Sequence, residues 1–124
     1  MLLALVSPAC GTGDRALPPA YREVAVPVTR LASPLSRARG RDLFQEHCAL
    51  CHGQRGDGNG ERREGLASPP RNFTDPGWRQ STSPRRVYFA IREGLAGTPM
   101  PEWKSLSEAD AWDLTAYVLA LSDR

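Results

Sequence analysis

Hydrophobic positions recur at helical spacing in three stretches of this chain, and we find no convincing strand-like alternation of apolar and polar residues. The first stretch covers residues 36–47, where Gly40 and Phe44 lie four residues apart and so face the same side of a helix. Residues 53–83 are rich in Gly, Pro and Asn and predict a long loop, which is unusual in a compact domain. The pattern predicts an all-α fold with three main helices and a large bound group that completes the core.

Capping residues mark the ends of the other two predicted helices. Ser83-Pro84 places an N-cap residue before a proline at the first helical position, and Gly94 is suited to end that helix. Ser107 is the predicted N-cap of the last helix, with Asp110 at the capping-box position. The last helix carries apolar residues at helical spacing, namely Trp112, Ala116, Leu119 and Ala120.

The first 35 residues differ from the rest of the chain. Residues 1–10 read MLLALVSPAC and resemble the end of a bacterial lipoprotein signal, which predicts an export-signal remnant with lipid on Cys10. A cleaved signal with a free product and a plain chain terminus are the alternatives. This apolar run is too short to span a bilayer. Residues 11–35 contain Gly and Pro without helical periodicity and predict a flexible tether, so that the domain proper covers residues 36–124.

Length and charge restrict the possible partners. The 124 residues are enough for one domain, and the net charge of +2 is too small to indicate a nucleic-acid partner. Basic residues concentrate in the middle of the chain and acidic residues near its end. This distribution fits either a polarised docking surface or an ordinary solvated one.

The strongest chemical signal is the run Cys48-Ala49-Leu50-Cys51-His52. Two cysteines three residues apart on a helical turn can each form a thioether with a vinyl group of haem, and the adjacent His then binds the iron. Zinc needs four ligands, and beyond this run the chain offers only Cys10 and His47 as soft donors. A redox-active dithiol normally follows a strand in a βαβ unit, which the pattern lacks. The run therefore predicts one covalently bound haem c.

Around this run the sequence resembles class I c-type cytochromes, and within them the bacterial monohaem cytochrome c domains. The resemblance covers about residues 36–122, and its motifs are Gly40-x-x-x-Phe44, CALCHG, GDGNG, PPRNFTD, GTPMP and the final Ala116-Tyr117-Val118. It implies the cytochrome c fold, with long loops wrapped around the haem. It also implies an electron carrier rather than an enzyme, which meets redox protein partners at the haem edge.

The resemblance implies that Met100 is the second axial ligand of the iron. Met100 lies between Pro99 and Pro101, and the prolines stiffen the loop that holds the sulfur. A His/Met ligand pair raises the reduction potential, because the thioether favours ferrous iron. The alternative is a methionine that only fills the core.

Other residues are implied to support the haem. Either Pro69 or Pro70 is the expected proline whose carbonyl accepts a hydrogen bond from the ligating His52. The candidate hydrogen-bond donors to the haem propionates, for which a plain surface role is the alternative, are Arg71, Asn72 and Trp78.

Two other functions stay open beside the free electron carrier. The same haem would also serve in a subunit of a larger oxidoreductase complex. An open-site haem enzyme or gas sensor is less favoured, because Met100 is expected to close the iron site. The signal-like start and the covalent haem predict a place on the periplasmic side of a bacterial membrane, either lipid-anchored or soluble.

Overall fold

The computed structural model describes residues 12–123, which form eight α-helices and two 3-10 turns and contain no strand. The three longest helices occupy the stretches that the sequence predicts, and the all-α class is confirmed. The elements are α1 Thr12–Arg15, α2 Pro19–Arg22, α3 Val28–Ala32, α4 Pro34–His47, α5 Ala49–His52, α6 Pro76–Ser81, α7 Pro84–Glu93 and α8 Glu108–Ala120, with 3-10 turns at Glu61–Arg63 and Leu121–Asp123.

The predicted caps of α7 and α8 are present. The Ser83 hydroxyl accepts a hydrogen bond from the Arg86 N–H at 3.2 Å, and α7 ends before Gly94, whose φ is 69°. The Ser107 hydroxyl accepts from the Asp110 N–H at 3.1 Å. These local bonds satisfy backbone donors that the first turn of a helix leaves unpaired.

Helices α4 and α8 cross at Gly40, which is buried. A Cβ at this position would collide with the carbonyl oxygen of Asp113 and lie 2.8 Å from the Tyr117 Cβ. One turn further along α4, the fully buried Phe44 ring lies 5.3 Å from the Tyr117 ring, measured between centroids. The absent side chain at Gly40 therefore lets the two backbones approach closely enough for this packing.

Helix α8 is the centre of the core. Residues 111–119 are all buried, so the helix is surrounded rather than exposed along one face, and α3, α4 and α7 pack against it. Trp112 of α8 stacks on Tyr88 of α7 with centroids 4.0 Å apart and ring planes 5° from parallel. The spacing of apolar residues predicted one buried stripe, and the structure extends burial all round the helix.

The segment before α4 differs from the flexible tether expected over residues 11–35. Its three short helices contact α7 and α8, and Leu17 is buried. Arg30 also donates a hydrogen bond to the Asp113 carboxylate at 2.8 Å. The apolar residues of this segment share no helical period because they belong to three separate helices of four or five residues, each with its own contacts.

The proposed signal remnant and Cys10 lie outside the described residues. Within residues 12–123, no helix combines the length and apolar character that a membrane span requires.

The predicted loop over residues 53–83 contains one 3-10 turn and helix α6. The sequence signal for α6 is Asp75-Pro76: the Asp75 carboxylate accepts from the Gly77 N–H at 2.9 Å, and Pro76 takes the first helical position. The rest of the loop is irregular and is tied back by bonds such as that from the Phe73 N–H to the Gly56 carbonyl, 2.7 Å long. This arrangement brings residues 71–73 beside α5.

Candidate haem site

Cys48, Cys51 and His52 lie on one tight helical turn. Cys48 is the C-cap of α4, where its N–H donates to the Phe44 carbonyl, and it is also the N-cap of α5. The Cys48 carbonyl accepts from the N–H groups of Cys51 and His52 at 3.2 and 2.9 Å. Both thiols are half-buried and form no disulfide. The turn therefore holds two free sulfurs three residues apart, next to an imidazole.

The His52 ring has a defined tautomer and orientation. Its Nδ1 lies 3.0 Å from the Arg71 carbonyl oxygen, and because a carbonyl only accepts, Nδ1 carries the proton and donates it. Nε2 then keeps its lone pair, which is the form that binds iron. The Phe73 ring stacks on the imidazole at 4.5 Å. Burial lowers the pKa of His52 below its ordinary 6.5, against the opposing effect of the Arg71 bond, and so favours the neutral ring.

The carbonyl that orients His52 is not the one that the sequence predicted. Pro69 or Pro70 was expected to supply it, and the acceptor is Arg71. The Pro70 carbonyl instead faces Gly58, where it would lie 3.0 Å from an added Cβ. Gly58 also donates its N–H to the His52 carbonyl at 2.8 Å, so the glycine loop, residues 53–60, lies between α5 and Pro70. The carbonyl that reaches the His52 ring is therefore one residue further along the chain, at Arg71.

The three residues predicted to meet the haem propionates lie on the same stretch of chain as this carbonyl. Arg71 is exposed and orients His52 through its backbone. The Asn72 side-chain oxygen accepts two hydrogen bonds from Thr74, one from its N–H at 2.9 Å and one from its hydroxyl at 2.6 Å. Trp78 is half-buried, with its ring 4.9 Å from that of Phe73. Their contacts with propionates stay a prediction.

The thiol environment disfavours the dithiol alternative, and the residues around it disfavour zinc. Burial raises the pKa of the Cys48 thiol to about 12, with a further contribution from Cys51, so that the thiol stays protonated near neutral pH. Disulfide exchange needs the thiolate as its nucleophile. Residues 12–123 contain no group of three or more His, Cys, Asp or Glu side chains placed to hold a metal ion. His47 instead lies against the Trp103 ring at 5.0 Å.

Met100 lies on a closed loop between α7 and α8. Its carbonyl accepts from the Leu95 N–H at 3.3 Å, and its N–H donates to the Thr98 hydroxyl at 3.2 Å. The side chain is half-buried, yet Met100 is not one of the described residues that pack against the buried cluster. This placement gives no support to a core-filling role.

These donors fit a covalently bound haem. Two unbridged thiols would form the two thioether bonds, and a neutral imidazole nitrogen and a thioether sulfur are donors of the kinds that bind iron in c-type haem. An all-α domain that combines such a donor set with a short Cys-x-x-Cys-His turn and long wrapping loops defines the class of c-type cytochrome domains.

The comparison with known families agrees with this class. Residues 36–118 match the family described as "Cytochrome C oxidase, cbb3-type, subunit III". The chain belongs to this family of monohaem c-type cytochrome domains, which implies haem c as its cofactor. The matched region begins within α4 and ends within α8, so the segment containing α1–α3 lies outside it.

Individual relatives come from several redox proteins. The chain is 30% identical over 107 residues to a thiosulfate dehydrogenase of Stutzerimonas stutzeri, which covers 86% of this chain and 33% of that protein. It is 36% identical over 85 residues to the cbb3-type cytochrome c oxidase subunit FixP of Bradyrhizobium diazoefficiens, covering 68% of this chain and 27% of that subunit.

A solved structure, from the reducing HAO-like protein complex of Kuenenia stuttgartiensis, matches with a TM-score of 0.64 and 34% identity. The match covers 72% of this chain and 44% of that one. The chain thus spans a third or less of the length of the two curated relatives, and redox proteins are the common setting of the matched domains.

Proposed function

We propose that this chain is a monohaem c-type cytochrome that transfers single electrons between redox proteins. The observation that carries the proposal is the bond from His52 Nδ1 to the Arg71 carbonyl, which leaves Nε2 as a ligand atom on the same turn as two free thiols. The bound haem would supply an iron that alternates between the ferric and ferrous states.

Each protein group has a distinct task in this proposal. Cys48 and Cys51 would hold one haem through thioether bonds, and His52 and Met100 would bind its iron. The Arg71 carbonyl accepts a hydrogen bond from Nδ1–H of His52, which makes Nε2 more basic and fixes the orientation of the ring. Two protein ligands held in both oxidation states would limit the rearrangement that accompanies each electron transfer.

Two exposed leucines support a docking surface for redox partners beside the haem. Leu50, 47% exposed, directly precedes Cys51, and Leu95, 44% exposed, donates its N–H to the Met100 carbonyl. Apolar side chains of this kind suit small and transient contacts between electron-transfer proteins. We further propose that these partners meet the domain on the periplasmic side of a bacterial membrane, with lipid at Cys10 as its attachment.

A second candidate function is a haem subunit of a larger oxidoreductase complex. The names of the relatives favour it, because FixP is a subunit of an oxidase and the matched solved structure belongs to a complex. Purification from native membranes separates the two candidates. Stoichiometric co-elution with larger subunits supports the complex, and a lone cytochrome supports the free carrier.

The proposal is tested on protein produced with a cytochrome c maturation system. We expect one haem per chain, which stays attached in denaturant, and we expect a reversible one-electron redox titration. The double variant Cys48→Ser/Cys51→Ser is expected to lose the attached haem, whereas Cys10→Ser is the matched control and is expected to keep it. Haem that is released by denaturant, or that stays attached in the double variant, contradicts the proposal.

A further inference from the structure

The Glu93 carboxylate joins two segments that are far apart in the sequence. One of its oxygens accepts a hydrogen bond from the Tyr21 hydroxyl at 2.5 Å, and the other forms an ion pair with Lys104 at 3.3 Å. Tyr21 belongs to α2, and Lys104 follows Met100 by four residues. Glu93, the last residue of α7, therefore connects the segment before α4 with the segment that carries the proposed axial ligand.

The end of α7 is also packed directly against the Met100 segment. A Cβ at Gly94 would lie 2.8 Å from the Met100 carbonyl oxygen, and the Trp103 N–H donates to the Ile91 carbonyl at 2.8 Å. The Leu95 N–H also donates to the Met100 carbonyl. A displacement of Glu93 and the α7 end would thus be transmitted to the Met100 carbonyl and to the backbone that follows it.

Tyr21 itself is firmly held. Its ring lies edge-on to that of Phe89 at 4.9 Å and tilted to that of Tyr88 at 6.1 Å. The Arg30 bond to Asp113 fixes α3 on α8, and an ion pair of 3.3 Å joins Asp14 to Arg85 at the start of α7. The segment is attached on both sides of Tyr21, which gives the Tyr21 hydroxyl a fixed position relative to Glu93.

We propose that residues 12–33 act as a brace which positions the Met100 loop through Tyr21 and Glu93. The inference rests on the proposed role of Met100 as the axial ligand and adds a positioning task for a segment outside the family-matched residues 36–118. Tyr21 and Glu93 are positioning residues in this view, since they act on the iron site through the loop.

The hydrogen bond alone is removed by Tyr21→Phe, because this variant keeps the ring that contacts Phe89 and Tyr88. Exogenous imidazole competes with the Met100 sulfur for ferric iron, so its affinity measures how firmly the loop holds the sulfur. We expect Tyr21→Phe and Glu93→Gln each to raise the imidazole affinity by roughly two- to fivefold, in line with the loss of one hydrogen bond at a solvent-exposed carboxylate. We expect the double variant to match the larger single effect, because Tyr21 acts on the loop only through Glu93.

A second measurement does not depend on iron chemistry. Amide hydrogen exchange at Trp103 should accelerate in Tyr21→Phe, because its N–H bonds to the Ile91 carbonyl at the braced end of α7. Asp14→Asn is the matched control: it weakens the same segment at Arg85, at the opposite end of α7. We expect it to leave both the imidazole affinity and the Trp103 exchange close to wild type.

The outcomes separate this inference from the proposed function. If the oxidised wild-type protein lacks the sulfur-to-iron charge-transfer band, Met100 is not the ligand, and both the brace and the proposed His52/Met100 ligation are overturned. If the band is present but Tyr21→Phe and Glu93→Gln bind imidazole like wild type, the brace is overturned and the cytochrome stands. An equal effect from Asp14→Asn also overturns the assigned route, because the change would then reflect general loosening of the segment.

Discussion

Arg30 of α3 donates a hydrogen bond to Asp113 of α8 at 2.8 Å, and the side chain of Asp113 is only 2% exposed. A buried carboxylate without a partner costs free energy of folding, so this ion pair stabilises the packing of α3 against α8. The backbone carbonyl of the same Asp113 faces Gly40 on α4. The contact between the segment before α4 and the core is therefore made at the crossing of the two main helices.

Removing the partner of Asp113 should destabilise the fold. Arg30→Ala leaves a buried carboxylate unpaired, and because Arg30 is itself 37% exposed, we expect a loss of about 1–3 kcal/mol in the free energy of unfolding. Urea unfolding of the haem-loaded protein measures it. Arg22→Ala, a change at an exposed arginine of α2, is the control and should cost less than about 0.5 kcal/mol. Equal stability of the two variants would show that α3 is not docked through this pair.

The helix crossing predicts a severe effect of a single methyl group at Gly40. Gly40→Ala places a Cβ against the Asp113 carbonyl, where backbone rather than a flexible side chain must move, and we expect a loss of about 2–4 kcal/mol. Denaturant unfolding checks the magnitude. Arg39→Ala, at the exposed neighbouring position of α4, should stay within about 0.5 kcal/mol of wild type. Wild-type stability of Gly40→Ala would contradict the close approach of α4 and α8.

The Tyr21–Glu93 contact predicts a pH dependence in the alkaline range. Burial and the Glu93 carboxylate raise the pKa of Tyr21 from 10.0 to about 12. Because the folded-state pKa is the higher one, the contribution to stability is complete below pH 10 and is lost as the pH rises towards about 12. We expect the stability difference between wild type and Tyr21→Phe to shrink over that interval in chemical unfolding experiments. A difference that stays constant across it would contradict the raised pKa.

Removal of the proposed sixth ligand should open the iron. We expect Met100→Ala to bind carbon monoxide in the ferrous state, which a His/Met-ligated iron resists, and to have a lower reduction potential than wild type. A CO titration followed by absorption measures the first effect. Leu35→Ala, a change at an exposed apolar residue of α4, is the control and should leave CO binding unchanged. If Met100→Ala and wild type bind CO equally, another group or none occupies the sixth position.

The main helices and the haem-binding turn are predictable from sequence because their signals are local. Ser83-Pro84 and Gly94 bound α7 through caps that need only neighbouring residues, and Ser107 does the same for α8. The Cys-x-x-Cys-His spacing likewise depends on a single turn. Local signals of this kind hold whatever the rest of the chain does.

The features that sequence reasoning missed depend on long-range contacts. Helices α1–α3 are too short to show a hydrophobic period and are held by partners more than 60 residues away, such as Arg85 for Asp14 and Glu93 for Tyr21. The acceptor for His52 could not be chosen among neighbouring carbonyls, because the path of the glycine loop between α5 and Pro70 decides it. Helix α6 did carry a local signal, Asp75-Pro76, which the surrounding loop composition obscured.

The central claim is that one haem c is held by Cys48 and Cys51 with His52 and Met100 on its iron. The most direct test is the absorption spectrum of the protein matured with haem, recorded first oxidised and then reduced. We predict the sharp α band of reduced c-type haem, together with a weak near-infrared charge-transfer band in the oxidised form that arises from sulfur-to-iron ligation. Covalent haem without the near-infrared band would contradict the role of Met100, and the absence of covalent haem would contradict the account as a whole.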